Sequence, residues 1–346
     1  MLFGGRFQFI CYFIAYGTAI DVSKFSPVPS TAAGPPIPTS LGYRLQSLGH
    51  GAYMVTDGTY QALFFVASET VIAVDAPPST GTNLLRALAS VTTKPISHVV
   101  YSHHHADHIG GAYLYGSSAN ITFVAHQDTA SQLALSPDYA HRPAPTSAFE
   151  TSYTLIVSNQ TLQLDYRGPN HEPGNIFIYA PKQKILMLVD IVYPGWIPFL
   201  SLGEVQSVPG YIRAHDEILA YDFDHYIGGH LDRTGTRQDV VSSRDYIHDL
   251  FNTAALAINM SATSNSSLSV AAVIAPSVFS TNPNNPWALF DTYVDVLAEW
   301  VAKDVAMRWS SKLYGTDVYG LSHAEAMLSA VRIDWGILGP FGVTSA

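Results

Sequence analysis

Short apolar runs separated by turn residues fill the chain as far as about residue 190, and longer runs with helical spacing dominate beyond it. Ala52 to Thr56, Ala62 to Ala67 and Val71 to Asp75 are each of strand length, with Asp57-Gly58 between the first two, a pattern that predicts an antiparallel meander. Asn83 to Ala89 places Leu84, Leu85 and Leu88 at helical spacing, and Pro95 precedes the apolar run Ile96 to Tyr101. Strand, helix, strand makes a crossover unit, so Tyr101 leaves the carboxyl end of a strand. Ile121 to Ala125 predicts another strand, Gln127 to Ala134 a helix and Ser136 to Ser147 a surface loop. A second meander follows at Tyr153 to Val157, Leu162 to Tyr166, Ile176 to Tyr179 and Ile185 to Val189. Two strand-rich halves, each ending in helices, predict two sheets packed face to face with helices outside.

Beyond the second meander, Val208 to Ala220 reads as a helix with Pro209 in its first turn. Tyr226 to Ile227 is a short strand ending at Gly228-Gly229-His230, and Thr236 caps a helix running to about Asn259. The polar stretch Ser261 to Ser267 marks a boundary. After it, Pro286 starts a helix with Phe290, Tyr293, Val294, Leu297 and Val301 on one face, and Ser322 with Glu325 has the spacing of a capping box. The expected division is a signal peptide over 1–19, a proline-rich leader over 20–42, a catalytic domain over 43–260 and a helical C-terminal addition over 261–346.

Composition narrows the function. Hydrophobic residues make up 47% and charged residues 13%, and the net charge of -10 excludes a phosphate-backbone partner, so no nucleic acid is expected. Arg6, the apolar run Phe7 to Tyr16 and the small residues Gly17 and Ala19 form a secretory signal pattern with cleavage after Ala19. A secreted protein without stable membrane association is the expectation, and sequons at Asn120, Asn159, Asn259 and Asn265 are compatible with glycosylation. The single cysteine, Cys11, lies inside that signal, so any metal must be held by nitrogen and oxygen, which suits zinc, iron or manganese. No feature specifies an oligomeric state.

The candidate chemistry begins at Tyr101 to Gly111, YSHHHADHIGG. His103 and His105 alternate on an extended segment and share a side, while Asp107 and His108 follow on the turn and can face a second ion. Three later places add to them: His171 in the turn Gly168-Pro-Asn-His-Glu-Pro-Gly-Asn175, Asp190 at the end of an apolar run, and His230 behind a glycine pair. A carboxylate at the end of such a run is costly to bury without a cation or several donors. His104 points away from its neighbours and is expected to support the loop, and His98 is expected in the core.

This series, HxHxDH, then a turn histidine, a strand-end aspartate and a final loop histidine, resembles the metallo-β-lactamase fold hydrolases from about Tyr43 to Arg237. The resemblance implies an α/β fold, a four-layer αβ/βα sandwich, with a two-metal centre in the cleft between its sheets. It assigns His103, His105 and His171 to one metal, Asp107, His108 and His230 to the other, and Asp190 to both. Two divalent ions are therefore the expected cofactors, with zinc favoured and iron or manganese as alternatives. Asp75 looks like the family's buried aspartate that holds the histidine loop by hydrogen bonds.

The bridging aspartate makes the ligand set more similar to lactonases and hydroxyacylglutathione hydrolases than to class B β-lactamases. Two ions sharing a water would lower its pKa toward about 7, and Asp107 could then orient the nucleophile and carry its proton. Tyr193 resembles the phenol that contacts the substrate carbonyl in acyl-homoserine lactonases; a packed strand-end tyrosine is the alternative. Trp196, Ile197, Phe199 and Leu200 either wall the site or dock the C-terminal helices. With no basic cluster to grip glutathione or phosphate, the expected partner is a small neutral, partly apolar ester or lactone. A β-lactamase-type amide hydrolase and an iron-dependent redox enzyme are the alternatives.

Overall fold

The computed structural model describes residues 25–342, so the signal pattern and its cleavage point lie outside the described residues. One sheet contains β1 (Arg44–Gly49), β2 (Ala52–Thr56), β3 (Gln61–Val66), β4 (Val71–Val74), β5 (Ile96–Val100), β6 (Thr122–His126) and β7 (Ser147–Phe149), in that spatial order. Its first half is the antiparallel meander, and β4 to β7 are parallel. Helix α1 (Asn83–Ala89) makes the crossover from β4 to β5, a single turn α2 (Ala106–Ile109) follows β5, and α3 (Gln127–Leu135) joins β6 to β7. Strand β7 falls at the end of a segment expected to be loop. Its three residues carry no usable alternation, and only parallel pairing with Val124, Ala125 and His126 makes them a strand.

The second sheet holds β8 (Ser152–Val157), β9 (Gln160–Asp165), β10 (Phe177–Ala180), β11 (Ile185–Met187) and β12 (His225–Ile227), ordered β12-β11-β10-β9-β8. All its pairings are antiparallel except β11 with β12. Period-two alternation builds the layers. Met54, Leu63, Phe65, Ile72 and Val74 face inward against Leu162, Leu164, Ile178 and Met187 of the other sheet. Their neighbours Val55, Ala62, Phe64 and Ala73 face outward onto Leu84 of α1 and Leu133 of α3.

The remaining elements are a turn α4 (Leu200–Glu204) and helices α5 (Val208–Leu219), α6 (Arg237–Ser261), α7 (Ala275–Thr281), α8 (Pro286–Trp309) and α9 (Thr316–Ile333). The outward side chains Phe177 and Leu186 of the second sheet, with Leu188 just beyond β11, share one apolar cluster with α5, α6, α8 and α9, through Tyr211, Tyr246, Leu297 and Leu328 among others. Tyr293, Leu297 and Val301 are fully buried there, as the spacing on α8 predicts. The expected capping box at Ser322 is not one. Helix α9 starts at Thr316 behind Gly315, and Ser322 lies inside it, accepting a hydrogen bond from the Ser201 amide at 3.1 Å. Its hydroxyl serves a tertiary contact instead of a helix end.

The proline-rich leader is docked where described. Trp196 Nε1 donates to the Ala32 carbonyl at 3.1 Å, and the Gly34 amide donates to Asp232 Oδ1 at 2.8 Å. The leader thus straps the loop that carries His230.

Candidate metal centre

The ligand loops gather at the carboxyl ends of parallel strands, where α/β sheets place their sites. His103, His105, Asp107 and His108 follow β5, Asp190 follows β11, His230 follows β12, and His171 lies on the loop between β9 and β10. All seven converge. Asp190 is the hub: its Oδ2 lies 3.1 Å from His108 Nε2, 3.4 Å from His171 Nε2 and 3.5 Å from His103 Nε2. Its Oδ1 lies 2.9 Å from His230 Nε2. Asp107 Oδ2 is 3.4 Å from His108 Nε2 and 3.9 Å from His230 Nε2. The seven fall into two groups, His103 with His105, His171 and Asp190, and Asp107 with His108 and His230, each with atoms within 4.8 Å of one another; a third such group, His104 with His105 and Glu172, shares His105. This is the division the sequence resemblance implies.

The donors fit divalent cations. His103 Nε2 is buried without a hydrogen-bond partner among the described residues, a costly state that a cation relieves. Burial pushes the pKa of His103 well below its usual value and that of His171 down to about 4, which favours neutral imidazoles. Burial alone would raise Asp190, but the charges of His108, His230 and His171 outweigh it and hold the carboxylate well below its ordinary range. His108 goes the other way: burial opposes its charge, yet Asp190, Asp107 and Asp75 lift it to about 9.

Supporting contacts fix each ligand. Asp75 Oδ1 accepts from the Ser102 amide at 2.8 Å, as expected for the aspartate that holds the histidine loop, and burial raises its pKa to about 6. Asn175 Nδ2 donates to the Val189 carbonyl at 2.8 Å and to Asn170 Oδ1 at 2.9 Å, and Asn170 Oδ1 accepts from the His171 amide at 2.6 Å. The His171 loop is thereby bolted to the strand that ends in Asp190. Gly229 has φ 84, and a Cβ there would lie 2.6 Å from Val189 Cγ1, so only glycine brings His230 this close. His104 does support the loop, through its backbone amide to Glu172 Oε1 at 3.0 Å. His98 is half-buried beside Ser97 and not in the core as expected.

Above the ligands lies a cavity of about 380 Å³, walled by Tyr60, Tyr193, Phe199, Leu200, Gly203 and Glu204. Tyr193 is packed and directed at the centre at once: it is 2% exposed and its hydroxyl donates to Asp190 Oδ1 at 3.2 Å. The apolar segment after Asp190 divides between its two expected roles. Phe199 and Leu200 wall the cavity, whereas Trp196 meets Tyr314 edge-on at 4.3 Å and Ile197 joins the helical core.

Sequence reasoning missed three contributors. Tyr60, in the turn between β2 and β3, places its ring 4.6 Å from that of His230 and 5.5 Å from that of His108, and burial with the Asp107 charge pushes its pKa up to about 12. Glu172 is fully buried against His104 and His105. The turn α4 winds left-handed, with φ/ψ of 50/45 at Ser201, 62/37 at Leu202 and 71/36 at Gly203. Consecutive L-residues in that region cost about 1–2 kcal/mol each. No local sequence signal announces such a turn.

A two-sheet sandwich with clustered histidine and aspartate ligands at its strand ends defines the class, and the comparisons agree. The model of the metallo-beta-lactamase superfamily matches residues 56–245, and the chain belongs to that superfamily. Among curated proteins, it is 28% identical over 222 residues to 2,4-dinitroanisole O-demethylase subunit alpha of Nocardioides sp. (strain JS1661). That match covers 63% of this chain and 64% of the relative, less than two thirds of its length. Among solved structures, a metallo-beta-lactamase from Pontibacter korlensis superposes with a TM-score of 0.51 at 18% identity, over 60% of this chain and 99% of that one. This second likeness concerns the fold.

Proposed function

We propose that the protein is a metal-dependent hydrolase that cleaves a C–O bond in a small neutral substrate, a lactone or ester by preference. The observation that carries this reading is the convergence of seven nitrogen and oxygen donors, five of them (His105, Asp107, His171, Asp190 and His230) lining a cavity walled by Tyr60, Tyr193, Phe199 and Leu200. Two divalent ions held there, zinc by preference, would supply Lewis acidity and a water of lowered pKa. The chain's own residues do the rest. Asp107, half-exposed at the cavity floor, orients the attacking group and accepts its proton for delivery to the leaving oxygen. The Tyr193 hydroxyl donates to Asp190 and is placed to turn toward a substrate oxygen. Phe199 and Leu200 hold the apolar part of the substrate and exclude water.

A second reading rests on the curated relative, whose name is that of an aryl ether O-demethylase subunit. In this reading the same centre cleaves an activated aryl methyl ether. One experiment separates them: metal content and a substrate panel of lactones, aryl esters, β-lactams and nitroanisoles, run on wild type and Asp107→Asn. Lactone or ester turnover with two ions per chain, and a folded Asp107→Asn variant slower by orders of magnitude, is the expected result. Turnover confined to nitroanisoles selects the second reading, and an equally active Asp107→Asn sinks the proton-carrying role.

Export belongs to the same proposal. It is supported by the amino-terminal pattern and by the exposure of Asn120, Asn159, Asn259 and Asn265, and among the described residues no helix is long and apolar enough to cross a membrane. The mass of the protein recovered from the medium of its host checks cleavage and glycosylation together.

A further inference from the structure

Among the described residues, Glu204 is the one carboxylate lining the cavity that the candidate metal centre does not use. The cavity is lined by three carboxylates and by no lysine or arginine, and two of the three, Asp107 and Asp190, belong to the candidate ligand groups. Glu204 is exposed, and its carboxylate makes no hydrogen bond or ion pair among the described residues. It therefore adds a negative charge that no side-chain cation offsets, on a wall it shares with Phe199, Leu200 and Gly203. The backbone holds this charge in place. Glu204 has φ 57 and so continues the left-handed run of Ser201, Leu202 and Gly203, a conformation strained for an L-residue. Anchors lie on both sides of it: the Gly203 amide donates to the Phe199 carbonyl at 2.9 Å, and the Gln206 amide donates to the His171 carbonyl at 2.7 Å. The side chain of Glu204 thus starts from a fixed point on the wall, and strain that the surroundings maintain in this way gathers at sites of function.

A fixed charge on a cavity wall discriminates by sign. Carboxylates in contact with water are ionised at neutral pH, and a cleft with low-dielectric walls focuses their field more than an open surface does. Phe199 and Leu200 supply such walls beside Glu204. Specificity arises as much from repelling the wrong ligand as from attracting the right one. We propose that Glu204 is a specificity-determining residue that turns away substrates bearing a carboxylate or phosphate remote from the scissile bond and admits those that are neutral or cationic there. The inference rests on the ester-cleaving reading above and deepens it, because it narrows the substrate class by charge. It also gives the left-handed turn a task, since that turn is what presents Glu204 to the cavity.

Phenyl esters that differ only in a methyl, carboxylate or trimethylammonium group, placed at the end of the acyl chain or on the ring, test this through kcat/KM on the metal-loaded protein. The methyl member is the internal reference, so any change common to the set cancels. For at least one placement, Glu204→Gln is expected to raise the carboxylate-to-methyl ratio by about 3–10-fold and to lower the trimethylammonium-to-methyl ratio by a similar factor. Both shifts should shrink as ionic strength rises from about 0.01 M to about 1 M, because the screening length falls from about 30 Å to about 3 Å. Glu204→Asn, neutral and more at ease in left-handed backbone, is expected to give the same shifts and serves if glutamine disturbs the fold. Ratios unchanged at both placements in a folded neutral variant, or shifts of the same sign for both charges, reduce Glu204 to a spacer in the wall. A wild-type protein that turns over none of these esters would instead overturn the ester-cleaving reading itself, and this role with it.

Discussion

Asp190 on the cavity floor and Leu202 in the turn behind its wall both hold left-handed backbone, with φ 62 at each, but their surroundings carry that strain by different means. At Asp190 the holding groups are strand ends. Its amide donates to the Gly228 carbonyl at 3.1 Å, Asn175 grips Val189, and four histidine nitrogens surround the carboxylate. At Leu202 the holding groups come from the C-terminal helices. Ser322 takes the Ser201 amide, and His323 Nε2 donates to the Phe199 carbonyl at 2.9 Å while its Nδ1 accepts from Tyr246 at 2.8 Å. Ser322 and His323 lie outside the superfamily match, which ends at residue 245. The floor is thus built by the sandwich that the family model matches, and the wall is held by helices beyond it. On this view, changes to the floor affect metal and chemistry, and changes to the wall affect which substrate fits.

Removing the hub should have the largest effect. Asp190→Ala is expected to reduce bound metal below two ions per chain and turnover by orders of magnitude, checked by elemental analysis and kinetics on one purified sample; full metal content would show that Asp190 bridges nothing. Next comes the wall. His323→Ala leaves the Phe199 carbonyl and the Tyr246 hydroxyl without their partner, and is expected to cost about 1–3 kcal/mol in urea unfolding. Metal content should be unchanged while KM rises. Metal loss in that variant would erase the distinction between floor and wall. Gly203→Ala adds a Cβ 2.7 Å from the Tyr193 hydroxyl at φ 71, and should destabilise by about 1–2 kcal/mol with a shift in KM.

The smallest effect is a pH dependence. Burial pushes His323 and His215 down to about 4, so both are neutral in the folded protein. A histidine with a depressed folded pKa contributes stability that is present above its unfolded value near 6.5 and lost as pH falls through the folded value. The melting temperature should therefore fall between about pH 6.5 and 4, even with chelator present. His215→Asn should flatten that slope; an unaltered slope would assign the acid sensitivity to other groups.

How much could be read from residues alone follows the same division. The strands came from alternation and turn residues, because a half-buried strand must place every second side chain in the core, and β2 to β4 lie where that pattern puts them. The three-residue β7 carried no such pattern and depends on its neighbour. The seven residues that converge on the candidate metal centre were legible, since histidines and aspartates clustered at strand ends have few other reasons to occur together. Tyr60 and Glu172 were not, because a turn tyrosine and a loop glutamate look the same whether they face solvent or a metal centre. Ser322 with Glu325 misled, since a capping-box spacing is local and the hydroxyl was bound elsewhere.

By itself, the sequence determined the two-sheet architecture, the residues gathered at the candidate metal centre and the likeness to the metallo-beta-lactamase superfamily, all of which rest on periodicity and on residue types with strong intrinsic chemistry. Only the tertiary structure decided how the cavity is walled. The left-handed turn over Ser201, Leu202 and Gly203 is unfavourable as a local conformation, and it exists because α9, more than a hundred residues further along the chain, supplies contacts that outweigh the local cost.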